Sequence, residues 1–254
     1  MLNNELVVIT GGAGLIGQTF CKTIVENGGR VILADIDFVN ARKICNSLNK
    51  SGLKSFAYKV DITNKNSIDK FIALVEIKHG KIDVLINNAY PRNIAYGKAL
   101  EEVTYENFCE NINLHLGGYF LTTKIFAKYF IRNGRGKIIN MSSIYGTIVP
   151  KFEIYSNTNL TTPIEYVAIK SAILAITKYF AKYYKKTNVT FNAISPGGII
   201  NGQDEKFIKK YNSFCSTKGM LDPSDLSGTL LFLISGASDC INGQNIVVDD
   251  GFSL

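Results

Sequence analysis

No stretch of this chain approaches the roughly 20 consecutive apolar residues that a helix needs to cross a bilayer, although 46% of its 254 residues are apolar. The N-terminal M-L-N-N-E-L has neither a basic region nor a small-residue cleavage site, so no secretory signal is expected. The five cysteines (Cys21, Cys45, Cys109, Cys215, Cys240) are odd in number, scattered and free of any C-x-x-C pair. That pattern excludes a disulfide framework and a zinc site, and it suits a reducing cytoplasm with no bound metal. Prolines number only five, and no linker, low-complexity run or repeat divides the chain, so residues 1–254 read as one domain. The net charge is +7, with lysines gathered at 178, 182, 185 and 186 and at 206, 209 and 210. These read as solvated helix faces. The excess is compatible with an anionic substrate. No aromatic residues interleave with the lysines in the manner of a nucleic-acid surface, and neither nucleic acid nor membrane is expected as a partner.

What is present begins with Val7 to Gly17, V-V-I-T-G-G-A-G-L-I-G. The apolar run Leu6 to Ile9 is a strand, the glycines are a turn, and Leu15, Ile16, Phe20, Cys21, Ile24 and Val25 recur at helical spacing. In that context Gly12, Gly14 and Gly17 fill the three places of G-x-G-x-x-G. The first is expected to turn the chain tightly, the second to let the backbone approach a pyrophosphate, and the third to let helix and strand pack closely. The helix N-terminus offers free N–H groups to phosphates.

Further strands are expected at 30–34, 55–60, 82–86, 137–141, 189–194 and 245–248, separated by helices at 39–48, 68–75, 104–131, 163–186 and 225–234 and a short one within a polar 201–220 segment. The alternation predicts an α/β, Rossmann-type, doubly wound parallel sheet with helices on both faces. Ligands of such sheets sit at the carboxyl ends of the strands, where Gly11, Asp35, Asp61 and Asn87 all fall. Asp35, some 20 residues past the glycines, can accept hydrogen bonds from ribose hydroxyls and would repel a 2′-phosphate. No Arg or Lys lies beside the glycines or directly after Asp35, so the sequence argues for NAD(H) over NADP(H).

Tyr166 and Lys170, at i and i+4, share one helix face. A free tyrosine, with a pKa of about 10, exchanges protons poorly at neutral pH, and a nearby ammonium is expected to favour its phenolate. Tyr166 is the expected general acid/base, Lys170 its electrostatic partner, and Ser143 the hydrogen-bond donor to the substrate oxygen.

The ordered set T-G-G-A-G-L-I-G (10–17), D-I (61–62), N-N-A (87–89), S-S-I-Y-G (142–146), Y-V-A-I-K (166–170), S-P-G-G-I (195–199) and N-G-Q-N-I-V-V-D-D-G (242–251) resembles the short-chain dehydrogenase/reductase family along nearly the whole chain. The resemblance implies hydride transfer between nicotinamide and a carbinol or carbonyl. It implies cofactor contacts from Gly11, Gly12, Gly14, Leu15, Ile16, Gly17, Asp35, Asp61, Ile62, Asn88, Ala89, Pro196, Gly197 and Ile199, together with Tyr166 and Lys170, the lysine holding the nicotinamide ribose. It also implies a homodimer or homotetramer built on the long helices, which carry apolar residues on more than one face.

The chain departs from the family pattern at several points. Leu15 replaces a glycine, and Tyr90 stands where N-N-A-G has its last residue, so an altered turn beside the nicotinamide is expected. His115 falls, without gaps, on the helix asparagine that supports a proton path behind the lysine; a relay and a packed histidine are both open, as are Asn111 or Asn113 if the helix bulges. Ser143 and Tyr166 are 23 positions apart, a wider interval than the family's. The added residues within 147–165 are expected to loop beside the substrate, offering Lys151, Phe152, Tyr155, Asn157, Thr158, Asn159 and Thr161 to a hydrophilic or phosphorylated ligand; 199–220 is the other substrate-side segment. This loop and N-L-H-L-G resemble the flagellin-modification and surface-polysaccharide branch, implying a sugar derivative. A lipid or acyl-carrier carbonyl would call for an apolar 201–220 segment, and a non-catalytic scaffold for loss of Ser143, Tyr166 or Lys170; neither feature is present.

Overall fold

The computed structural model describes residues 2–158 and 160–254. Seven strands, β1 (Leu6–Thr10), β2 (Arg30–Asp35), β3 (Ser55–Lys59), β4 (Val84–Asn87), β5 (Gly136–Met141), β6 (Val189–Pro196) and β7 (Asn245–Val248), form one parallel sheet in the order β3-β2-β1-β4-β5-β6-β7. The helices are α1 (Leu15–Glu26), α2 (Phe38–Lys50), α3 (Lys65–His79), α4 (Tyr105–Ile112), α5 (Gly118–Arg132), α6 (Ile164–Tyr183), α7 (Glu205–Asn212) and α8 (Ser227–Ile234).

The strands read as continuous apolar runs because both sheet faces are covered. Val7 and Ile9 of β1 point into one core with Phe20 and Ile24 of α1 and Leu230 of α8, whereas Leu6 and Val8 point into the other with Phe71 of α3, Phe126 of α5 and Phe180 of α6. The strand order reverses between β1 and β4, and that switch point opens a crevice at the carboxyl ends.

The predicted helix over 104–131 is present but not uniform. Residues Asn113–Gly117 between α4 and α5 wind as a π-helix, which accommodates one extra residue and turns His115 inward. The D-D-G at 249–251 also has a structural function. The Asp250 carboxylate accepts from the backbone N–H of Thr217, Lys218 and Gly219, tying the segment after α7 to the end of β7. Those N–H groups hold its pKa down at about 2.

Candidate functional site

The crevice is a cleft of about 1070 Å³ running from the glycine turn to α7. At one end, the tight turn after β1 is made by Gly11, which has φ +63°, and a Cβ there would sit 2.6 Å from the Cα of Ala89. This corrects the expectation that Gly12 makes that turn. Gly12 packs on Leu33 and does not line the cleft; Gly17 does not either, since its missing Cβ leaves room for the Gly11 carbonyl, 2.3 Å from where a Cβ would be. Gly17 therefore does the close packing expected of it. Gly14, Leu15 and Ile16 do line the cleft, and Gly14 begins α1 with no side-chain cap, leaving the N–H groups of the first turn for an anion.

Asp35 lies at the mouth beyond β2. Its Oδ2 accepts from the N–H of Ala13 (2.9 Å) and its Oδ1 from the N–H of Asp37 (2.9 Å), which fixes the carboxylate against the glycine turn. Asp61 and Ile62 line the same end. Asn88 donates to the carbonyls of Thr10 and Gly11 and so ties β4 to the turn, while Ala89 forms the floor. Asn87 is buried among Thr122, Thr123 and Asn140 and holds the sheet to α5. The residues fit a dinucleotide: an uncapped helix N-terminus for the pyrophosphate, a fixed carboxylate for the adenosine ribose, and Pro196, Gly197 and Ile199 along the far wall.

In the middle, Ser143, Tyr166 and Lys170 come together. Ser143 begins the turn after β5, where its Oγ accepts from the N–H of Tyr145. Tyr166 is in the first turn of α6, one turn ahead of Lys170. Ser142 Oγ donates to the Lys170 carbonyl (2.8 Å), locking α6 to β5, and Lys170 Nζ donates to the Met141 carbonyl (2.8 Å). Burial pushes the Tyr166 phenol above its ordinary range, an effect that the neighbouring Ser143 side chain partly offsets. Burial also pulls Lys170 from 10.5 down to about 7. The expected bias of Tyr166 toward phenolate is thus not seen in the protein alone, because desolvation disfavours the charged form of both groups.

Tyr90 takes its place with an ordinary backbone and needs no glycine. Its ring packs edge-on against His115 (4.8 Å) and Tyr166 (6.0 Å), with Lys170 Nζ 5.6 Å from its centroid. His115 is buried and does not line the cleft. Both of its ring nitrogens lack hydrogen-bond partners among the described residues, as does the hydroxyl of the adjacent Tyr119. Burial and then the Lys170 charge hold His115 well below the ordinary histidine pKa. The alternatives lie elsewhere: Asn111 bonds the Asn93 N–H and Glu165, and Asn113 is exposed.

The other end is built from three segments. From the 147–165 loop, Tyr155, Leu160, Thr161, Thr162 and Pro163 line the cleft; Lys151 instead lies over the rings of Phe214 and Phe252, and neither Phe152 nor Asn157 nor Thr158 reaches the wall. Asn159 lies outside the described residues. Thr161 Oγ1 donates to the Gly97 carbonyl (2.6 Å), Tyr155 and Tyr145 share a 2.8 Å hydroxyl contact, and Lys210 of α7 donates to the carbonyl and hydroxyl of Ser156. Asn201, Gln203, Phe207, Tyr211 and Met220 complete the wall from the 199–220 segment. The sequence reading missed Arg92, Tyr96 and Gly97, which follow the carboxyl end of β4; their position just past a strand end was the available signal.

A family profile described as enoyl-(acyl carrier protein) reductase matches residues 12–253. Post-translational flagellin modification protein A of Campylobacter coli is 41% identical over the full length of both chains. The NAD-dependent glycerol dehydrogenase of Listeria innocua is 29% identical, covering 100% of this chain and 95% of the relative. Among solved structures, a short-chain dehydrogenase from Leptospira borgpetersenii with bound NAD+ superposes with a TM-score of 0.85 at 31% identity, covering 100% of this chain and 94% of the other. With its sheet order, glycine turn and Ser143–Tyr166–Lys170 grouping, the chain belongs to the short-chain dehydrogenase/reductase family of NAD(P)-dependent oxidoreductases.

Proposed function

We propose that this protein is an NAD(H)-dependent oxidoreductase that transfers hydride between nicotinamide and a carbinol or carbonyl carbon of a sugar derivative, in bacterial surface-glycan or flagellin-glycan synthesis. The observation that carries this reading is one cleft in which Ser143, Tyr166 and Lys170 stand between a dinucleotide end and a mixed wall, where Tyr155, Thr161, Thr162, Asn201, Gln203 and Tyr211 alternate with Leu160, Pro163, Phe207 and Met220. The six polar side chains give hydroxyl groups hydrogen-bonding partners, and the apolar ones can pack on the faces of a sugar ring. The flagellin-modification relative supports the pathway. The fixed Asp35 carboxylate, with Asp37 beside it, supports NAD(H) over NADP(H).

Bound nicotinamide supplies or accepts the hydride. Ser143 orients the substrate oxygen, and Tyr166 exchanges a proton with it. Because burial keeps the phenol protonated, Tyr166 is set to donate to a developing alkoxide. Lys170, anchored on Met141, is held near its own titration point, so it can release or retain a proton at neutral pH. His115 is a neutral imidazole behind it, with two ring nitrogens open to a proton path. The protein works in the cytoplasm as a homodimer or homotetramer; Phe120 and Ile131 of α5 and Tyr179 and Tyr183 of α6 are exposed and would be covered by a partner subunit.

A fluorescence screen for NADH with polyols, sugar phosphates and nucleotide sugars tests the reading. Turnover is expected on at least one, and Tyr166→Phe should lower kcat by about 10²–10⁴-fold while changing NAD+ affinity little. Turnover confined to acyl-carrier carbonyls, or full activity of the variant, would refute it.

A further inference from the structure

Charge is unevenly distributed along the cleft. Asp35, Asp37 and Asp61 line the dinucleotide end, whereas among the described residues no carboxylate lines the substrate end. Among the described residues two basic side chains line the cleft, Lys170 and Arg92. Lys170 is buried and committed to the Met141 carbonyl. Arg92 is exposed, and among the described residues it forms no ion pair. Of the acids beside the turn that carries it, Glu110 accepts from Asn93, and Glu165 is buried and accepts from Asn111 through one carboxylate oxygen.

Arg92 is nevertheless held in place. Its guanidinium carbon lies 5.4 Å from the Tyr90 ring centroid and 5.8 Å from that of Tyr96. The two tyrosine hydroxyls are hydrogen-bonded to each other, which fixes both rings. The turn that carries them is anchored through Asn93, whose N–H donates to Asn111 and whose side chain donates to Asn107 and Glu110. A guanidinium held beside aromatic rings by cation–π attraction, with no acid paired to it, keeps N–H groups for a forked contact with an oxyanion. One ring, Tyr90, separates it from Tyr166, the two rings being 6.0 Å apart.

We propose that Arg92 is the specificity-determining residue of the substrate end, and that the substrate carries a carboxylate or phosphate that Arg92 binds while a hydroxyl-bearing carbon lies at Tyr166. The proposal rests on the oxidoreductase reading for the placement of the reacting carbon, but not for the anion contact. Arg92 lies 5.4 Å from the Tyr90 centroid and Tyr166 6.0 Å from it, so anion and reacting carbon are at most a few bonds beyond one sugar unit apart.

The test is calorimetric binding of three matched probes, D-glucitol, D-gluconate and D-glucitol 6-phosphate, to NAD+-saturated protein, alongside NADH formation with each. At least one anionic probe should bind ten times or more tightly than D-glucitol, and that preference should weaken as salt rises. Arg92→Gln should abolish the preference while retaining NAD+ affinity and thermal stability; Arg92→Lys should recover only part of it. Which anion is favoured distinguishes a sugar acid from a sugar phosphate. Equal binding of all three probes, binding of none, or an unchanged preference in Arg92→Gln would overturn the proposal. Arg92-dependent binding without oxidation of any probe would leave the anion contact standing and count against the placement of the reacting carbon. Oxidation without Arg92-dependent preference would do the reverse.

Discussion

The two ends of the cleft are made by different means. The dinucleotide end consists of strand termini: Gly11 after β1, Asp35 ending β2, Asp61 after β3 and Asn88 after β4. Their positions follow once the strands pair in register, as Thr10 does with Ala34 and with Asn87. The substrate end is made of loops from three separate parts of the chain, pinned by side chains: Thr161 to Gly97, Tyr155 to Tyr145, Lys210 to Ser156, and Tyr211 to the Gly198 N–H. One end is thus fixed by the fold's backbone ladder and changes only with it. The other is fixed by individual hydrogen bonds and can be altered one residue at a time, which suits a family whose cofactor is shared and whose substrates differ.

If the ends are independent, each can be damaged separately. The largest effect is expected at Asp35. Wild type should bind NAD(H) at least tenfold more tightly than NADP(H), about 1.4 kcal/mol, and Asp35→Ala should abolish that preference with no change in substrate affinity; titration of both dinucleotides measures it. An equal or reversed preference in wild type would show that Asp35 serves only to hold Ala13.

Next in size is His115, at the centre. His115→Ala should lower turnover about tenfold or less, with NAD(H) affinity intact, and His115→Asn should recover much of the loss. Because burial and Lys170 keep the imidazole neutral well below pH 6.5, the wild-type rate profile should show no histidine inflection near that pH. Full turnover of the alanine variant at every pH would mean that His115 only packs against Tyr90 and Tyr119.

Smaller still is Thr161→Val, which removes the bond to Gly97. A hydrogen bond of this kind is worth about 0.5–1.5 kcal/mol, so KM for substrate should rise by about threefold to tenfold with dinucleotide binding unchanged. A matching loss of NAD(H) affinity would show the ends to be coupled.

The effect on stability is of a different kind, read as Tm against pH and not as binding or turnover. Lys170 titrates at about 7 when folded, against 10.5 ordinarily. Between those values the unfolded chain binds more protons, so wild-type stability gains from rising pH across that window. Lys170→Met lacks the gain. Its Tm advantage over wild type should therefore be greatest below pH 7 and shrink toward pH 10, at about 2–4 °C per kcal/mol. A pH-independent difference would argue against a buried, titrating lysine.

The sequence was informative where chemistry depends on short intervals. Strand, glycine turn and helix lie within 20 residues, Tyr166 and Lys170 within one helical turn, and the acids at strand ends within each βα unit, so local periodicity placed them all. It failed where neighbours in space are distant in sequence. Gly12 and Gly11 are equivalent on paper; only the approach of Ala89, just past the end of β4, selects Gly11 for the positive φ. Of the extra residues between Ser143 and Tyr166, the chain shows that they must loop out but not which face the cleft; Lys151 turns to Phe214 and Phe252, and Thr161 turns to Gly97.

By itself, then, the sequence determined the sheet and the strand-end residues of the dinucleotide end, because hydrophobic period is a local property; the Ser143–Tyr166–Lys170 group was legible only through the ordered family motifs, since Ser143 lies 23 positions from Tyr166. Only the tertiary structure decided that a π-turn brings His115 behind Lys170, that burial raises the pKa of the Tyr166 phenol, and that Arg92 lies beside two tyrosines with no ion pair among the described residues. Those outcomes depend on desolvation and on contacts between segments far apart in the chain, and both arise only when the elements pack.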